Sequence, residues 1–317
     1  MMTCSRRPVR PIRPLRGGDS KGPRAAKWPF LLGMVVAGLT HTDAAQGDTS
    51  SGWAAGFATV RADVAAGRPF VAVVVVPLCD NDQIACGSGG LGNPASGRVN
   101  LYWGALYGAK RFFDRPDSGF ERVDTAPLAP TGPWLDRAVY RRWVPGAAWH
   151  VGDRQVEQLV ALQAAHGARI DSAVDHFWSI ATGGGTVDFR DGARDRQERV
   201  HVAGYAGHNR LMDGKRLPAA PARSSSTPIS LFVFACLSDR FFSTPLRAAG
   251  SLPLVTTRAF IAPEGYAVHA AVSSLGDNAS LEGVRTRVVF AYAKWQRIPT
   301  PTASRLFAPT PTDETLR

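Results

Sequence analysis

The run FVAVVVVPL at residues 70–78 is apolar throughout and rich in β-branched residues, the pattern of a strand covered on both faces. Residues 200–209 (VHVAGYAGHN) and 229–238 (ISLFVFACLS) read as two more buried strands, and residues 138–144 and 252–256 as shorter ones. Apolar positions at helical spacing predict helices over residues 53–66, stopped by Gly67 and Pro69, and over 154–165 and 170–180, broken at Gly167. Further helices are expected over residues 239–249, 264–274 and 281–296. Residues 101–113 (LYWGALYGAKRFF) carry aromatic side chains at helical spacing, which reads as packing. Gly- and Pro-rich stretches at 87–97, 114–133 and 213–228 read as loops, and the Pro/Thr-rich residues 299–317 as a tail that runs over the surface or frays. Strands alternating with helices predict an α/β fold, three-layer α/β/α, with a mostly parallel central sheet. No linker divides the chain from Ser51 onward, so residues 51–298 are expected to form one domain.

With 317 residues and 44% hydrophobic content, the chain can bury a sizeable core. Its net charge of +11 is uneven, because residues 1–45 set eight Lys and Arg against only Asp19 and Asp43. The remainder of the chain is mildly basic, without a dense cationic face or interleaved aromatic residues, and this argues against a nucleic-acid partner. Residues 1–45 have the order of a secretory signal peptide or basic leader. A basic, Pro-rich stretch precedes an apolar run over residues 28–39, and Thr42 and Ala44 then suit the cleavage positions. Ser5-Arg6-Arg7 resembles a twin-arginine signal but stands far from the apolar run, and a translation start at Met34 would remove most of that run. The run is shorter than the roughly 20 apolar residues a span requires, so no stable membrane span is expected. Export to a periplasm or the medium, with a mature N-terminus near Ala45, is the expectation. Loss of the leader removes Cys4 and leaves Cys79, Cys86 and Cys236, an odd count for an exported chain. Their short spacing makes Cys79 and Cys86 the natural disulfide partners; three buried, inert cysteines are the other reading.

Gly87, Gly89 and Gly92 fit G-x-G-x-x-G, but that fingerprint makes its turn directly after a strand and opens a helix. Here residues 79–86 intervene and Asn93-Pro94 continues as loop. His150, His166, His176, His201 and His269 are scattered, and there is no H-E-x-x-H, zinc-spaced cysteine pair, G-x-S-x-G elbow or P-loop, so no cofactor or metal is expected. His208 and Cys236 remain. Each ends an apolar strand, and the carboxyl ends of strands form the ligand crevice of an open α/β sheet. A thiol attacks as its thiolate, and an imidazole is the usual base to take its proton.

A strand ending in Gly207-His208, followed by one ending in Ala235-Cys236-Leu237-Ser238, resembles the caspase and legumain group of cysteine peptidases. Residues 70–78 and Cys79-Asp80-Asn81 stand where that group has its first strand. The resemblance covers mainly residues 70–257 and rests on short motifs; the wider pattern is also similar to bacterial proteins of unassigned function. It implies a caspase-like sheet, Cys236 as nucleophile, His208 as general base and acid, and the N–H groups of Cys236 and Asn209 as oxyanion donors. Asn209 stands where the group has glycine, a departure that asparagine's tolerance of unusual backbone angles would accommodate. Asp80, Asn81 and Ser238 are candidate pocket residues, Asp80 selecting Arg or Lys; capping a loop is the plainer role of Asp80 and Asn81. The implied activity is an exported cysteine endopeptidase acting on a peptide or protein substrate. A catalytically inactive binding or scaffold protein of the cell envelope, and a thiol hydrolase or transferase for small acyl substrates, are the alternatives.

Overall fold

The structure, a computed structural model, describes residues 51–124, 132–222 and 229–311. The leader expected over residues 1–45 lies outside the described residues. The strands are β1 (Phe70–Pro77), β2 (Glu121–Arg122), β3 (Trp134–Pro145), β4 (Gln155–Ala165), β5 (Thr186–Asp191), β6 (Arg194–Arg199), β7 (Val202–Ala206), β8 (Ser230–Phe234) and β9 (Leu252–Val255). Seven of them form one sheet in the order β2-β3-β4-β1-β7-β8-β9, while β5 and β6 pair separately as an antiparallel ribbon. β4, β1, β7, β8 and β9 run parallel; β3 is antiparallel to β4, and β2 to β3.

Strand β1 explains the layering, because every residue in it is buried. Its side chains alternate across the pleat, so Phe70, Ala72, Val74 and Val76 enter one core and Val71, Val73 and Val75 enter another. The helices are α1 (Ser51–Ala65), α2 (Ala109–Phe113), α3 (Ile170–Gly183), α4 (Ser238–Ala248), α5 (Gly265–Gly276), α6 (Leu281–Gln296) and α7 (Thr300–Ser304). Phe57 and Val60 of α1, Phe113 of α2, Val268 of α5, Val288 of α6 and Ala303 of α7 fill the first core. Val174 and Phe177 of α3, Phe242 and Leu246 of α4, and Val187 and Phe189 of the ribbon fill the second. The result is the expected mixed α/β fold, three layers around a mostly parallel sheet. No helix among the described residues is long and apolar enough to cross a membrane.

Three expectations about local structure are overturned. Residues 154–165, read as helix, are β4 and lie between β1 and β3. QVEQLVALQAA suits a helix by composition, but its apolar positions also divide by alternation, Val156, Val160, Leu162 and Ala164 to one core and Leu159, Ala161 and Ala165 to the other. Pairing on both edges overrides the local preference. Residues 101–108 are turns, and helix is confined to Ala109–Phe113. The end of the chain does not fray over its described part: Ala303 and Phe307 are buried, and the Ala308 N–H donates to the Thr256 carbonyl at 2.9 Å. Two apolar anchors outweigh the Pro/Thr-rich composition there. The β5–β6 ribbon has no clear signature in the sequence, because only Val187 and Phe189 interrupt its run of polar residues.

Candidate functional site at the carboxyl edge of the sheet

β7 and β8 are parallel neighbours, in register from Val202↔Ser230 to Ala206↔Phe234. Beyond the last pair, the Gly207 N–H still donates to the Phe234 carbonyl at 3.1 Å. His208 and Cys236 therefore stand opposite each other, just past the carboxyl ends of adjacent strands. The chain passes from β1 to β4 on one side and returns to β7 on the other, so strand order reverses beside β1, where open α/β sheets form their crevice. Glycine is required at the approach: a Cβ on Gly207 would fall 2.6 Å from Cγ of Pro77 at the end of β1.

The histidine is held from several directions. The hydroxyl of fully buried Tyr205 donates to the His208 carbonyl at 2.8 Å, and burial pushes that phenol well above its ordinary range, so it stays a donor. His208 Nε2 lies 2.6 Å from Asp213 Oδ2. Arg210 donates from Nη1 to the same oxygen at 2.8 Å and from Nε to Asp171 at 2.9 Å, and Lys215 reaches Asp175 at 2.9 Å. Asp171 and Asp175 belong to α3, so residues 208–215 are strapped onto that helix. The other ring nitrogen of His208, Nδ1, makes no hydrogen bond among the described residues.

The cysteine sits on a strand-to-helix turn. Leu237, directly after it, adopts φ 52° and ψ 31°, a left-handed conformation that costs a branched residue about 1–2 kcal/mol. The turn is fixed from behind: the Leu237 N–H donates to the Ala259 carbonyl at 3.0 Å and the Ser238 hydroxyl to Val233 at 2.7 Å, while Thr257 bonds both Ser238 and the Ala235 carbonyl. Cys236 is half-buried and outside the disulfide, with Sγ 3.8 Å from the Ile261 carbonyl. It lies just before the N-terminus of α4, where partial positive charge favours an anion. Asn209 ties the two loops together, its Nδ2 donating to the Cys236 carbonyl at 2.6 Å and its Oδ1 accepting from the Leu211 N–H at 3.1 Å.

The remaining candidate residues have local duties. Cys79 and Cys86 are joined by a disulfide. Asp80 is buried and caps its own turn, accepting from the Asp82 N–H at 3.0 Å and from Gln83 Nε2 at 3.2 Å. Asn81 accepts from the Cys86 N–H at 2.9 Å and donates to the Gly87 carbonyl at 3.0 Å, so it braces the disulfide loop. Ser238 is fully buried with its hydroxyl occupied. Asn209 is fully buried at φ −88°, an extended conformation open to any residue, so nothing in its backbone angle demands glycine or asparagine. Gly89 and Gly92 lie in turns and Gly87 in the irregular segment before them, with no helix opening directly behind, unlike a dinucleotide loop.

Two residues of the edge carry no signal in the sequence. Asp213 reaches His208 only because residues 210–213 form a single 3₁₀ turn, which a polar stretch does not announce. Asn100, fully buried, bonds both the N–H (2.9 Å) and the carbonyl (2.8 Å) of Cys79 and so stands in for a neighbouring strand. No protein-family model, curated protein or solved structure matches this chain.

Proposed function

We propose that the protein is a cysteine endopeptidase, with Cys236 as nucleophile and His208 as general base and acid. The placement of one thiol and one imidazole at the carboxyl ends of adjacent parallel strands carries this reading. The left-handed Leu237 supports it, because strain retained at a turn beside a reactive group is the form functional sites take. In the reaction, the Sγ proton passes to His208 and the thiolate adds to the substrate carbonyl carbon. The N–H of Cys236 steadies the oxyanion, and the imidazolium returns its proton to the leaving amine; water then frees the acyl group from sulfur. Asn209, whose N–H the resemblance implies as the second donor, has no exposed surface, so that N–H is closed to a substrate. A caspase-like arrangement of the sheet and export behind a cleaved leader belong to the same proposal.

The rival is a binding or scaffold protein of the same fold. One observation favours it: the ring of His208 bonds Asp213 and makes no hydrogen bond to Cys236 among the described residues. A peptide carrying a thiol-reactive group separates the readings. Labelling and peptide cleavage that both vanish in Cys236→Ala, with stability unchanged within about 0.5 kcal/mol, are expected of the peptidase. Cleavage that survives in Cys236→Ala overturns it. Labelling only by small acyl donors identifies an acyl hydrolase or transferase, and no labelling leaves the binding protein.

A further inference from the structure

We infer that Asp213 is a positioning residue for His208, making a Cys-His-Asp arrangement out of what the sequence offers as a dyad. The inference rests on the peptidase reading and adds the group that decides which ring nitrogen acts. Asp213 Oδ2 is 2.6 Å from Nε2 of His208. With the carboxylate accepting from Nε2–H, the neutral ring carries its proton there and presents Nδ1 as its basic lone pair.

The carboxylate is itself secured as an anion. Burial works against its charge, but hydrogen bonds from Arg210 and His208 outweigh that effect and hold the Asp213 carboxyl below its usual range. Arg210 is anchored in turn by Asp171, and Lys215 is taken up by Asp175, so these charged groups of α3 and of residues 208–215 are paired around the histidine. The main chain on either side is pinned by Tyr205 at the His208 carbonyl and by Asn209 at the Cys236 carbonyl. On the peptidase reading, the bond from Nε2 to Asp213 leaves Nδ1 to take the thiol proton. The Sγ–H bond of Cys236 breaks, its proton forms a bond to Nδ1 of His208, and the resulting imidazolium keeps its Nε2–H on Asp213. The charge of the imidazolium is thus balanced by the carboxylate as well as by the thiolate.

Alkylation of Cys236 by iodoacetamide in the full chain, with mass spectrometry of the Cys236 peptide as pH is varied, tests this without a known substrate. Near pH 6.5 the rate is expected to fall roughly 10-fold in Asp213→Asn, toward that of His208→Ala, with Asp213→Glu recovering part of the loss. Near pH 9.5, where a thiol ionises unaided, the rates of all variants are expected to converge. A purely structural Asp213 would alter access to the thiol, and hence the rate, equally at both pH values. Asp213→Asn alkylating at the wild-type rate at pH 6.5 overturns the inference while leaving the dyad intact. If His208→Ala also alkylates at the wild-type rate, the peptidase reading fails as well.

Discussion

His201 and His208 bracket the same strand, and each directs Nε2 at a carboxylate: His201 at Asp63 (3.1 Å) and His208 at Asp213 (2.6 Å). The first pair lies at the amino end of β7 and both its members are buried, with Arg68 and Arg199 also turned to Asp63. Its second ring nitrogen is occupied, since the Val71 N–H donates to Nδ1 at 3.1 Å. The second pair lies at the carboxyl end, where Asp213 is exposed and Nδ1 of the ring makes no hydrogen bond among the described residues. The same two residue types therefore do different work. A histidine with both nitrogens engaged in a closed core ties β1, β7 and α1 together; one with a nitrogen to spare at the crevice can exchange a proton.

This contrast is best broken by mutating the two histidines. His208→Ala should lower Cys236-dependent cleavage by about 10²–10⁴-fold with little change in stability, read as rate per folded molecule beside a thermal melt. His201→Ala should do the reverse. Leaving Asp63 and the Val71 N–H short of a partner in the core is expected to cost about 3 kcal/mol by denaturant titration, with Cys236 reactivity unchanged in the folded fraction. If His201→Ala is the variant that silences Cys236, the assignment of roles is inverted.

Replacing both Cys79 and Cys86 with Ser opens a short loop at the carboxyl end of β1, for which the chain-entropy argument gives a loss of about 2.5 kcal/mol. That loss appears in the melt, and a reducing agent applied to the wild type should reproduce it.

Acid sharpens the comparison further. Burial is the main cause holding His201 below the ordinary imidazole value, and it acts likewise on His176 and His269. Their folded-state values lie below those of the unfolded chain, so the unfolded state takes up protons first as pH drops. The stability these neutral rings contribute is fully present above about pH 6.5 and is lost as pH falls through the depressed folded values. The thermal midpoint of the wild type is expected to decline between pH 7 and 5, and less steeply in His201→Ala. The smallest effect is expected at the first loop, where Asp80→Asn keeps an oxygen for the Asp82 N–H and should change stability by less than about 1 kcal/mol. A large loss of cleavage after Arg or Lys in that variant would restore Asp80 to a specificity pocket.

The amino-acid pattern alone determined that β1, β7 and β8 are buried strands, because unbroken apolar runs suit only positions covered on both faces. It also determined that His208 and Cys236 end their strands, since each follows its apolar run directly. It did not determine β4, whose residues fit helix or strand equally until β1 and β3 supply partners on both edges. Nor could it place the buried turn of α7 and Phe307 in a stretch whose composition reads as solvated. At the site, sequence order brought the imidazole and the thiol to one edge. Only the folded chain put Asp213 on the ring and Asn209 across to the Cys236 carbonyl, and only there does the left-handed Leu237 appear. Those contacts depend on a single 3₁₀ turn and on the approach of two loops, which local residue preferences do not encode because their free energy comes from neighbours distant in the chain.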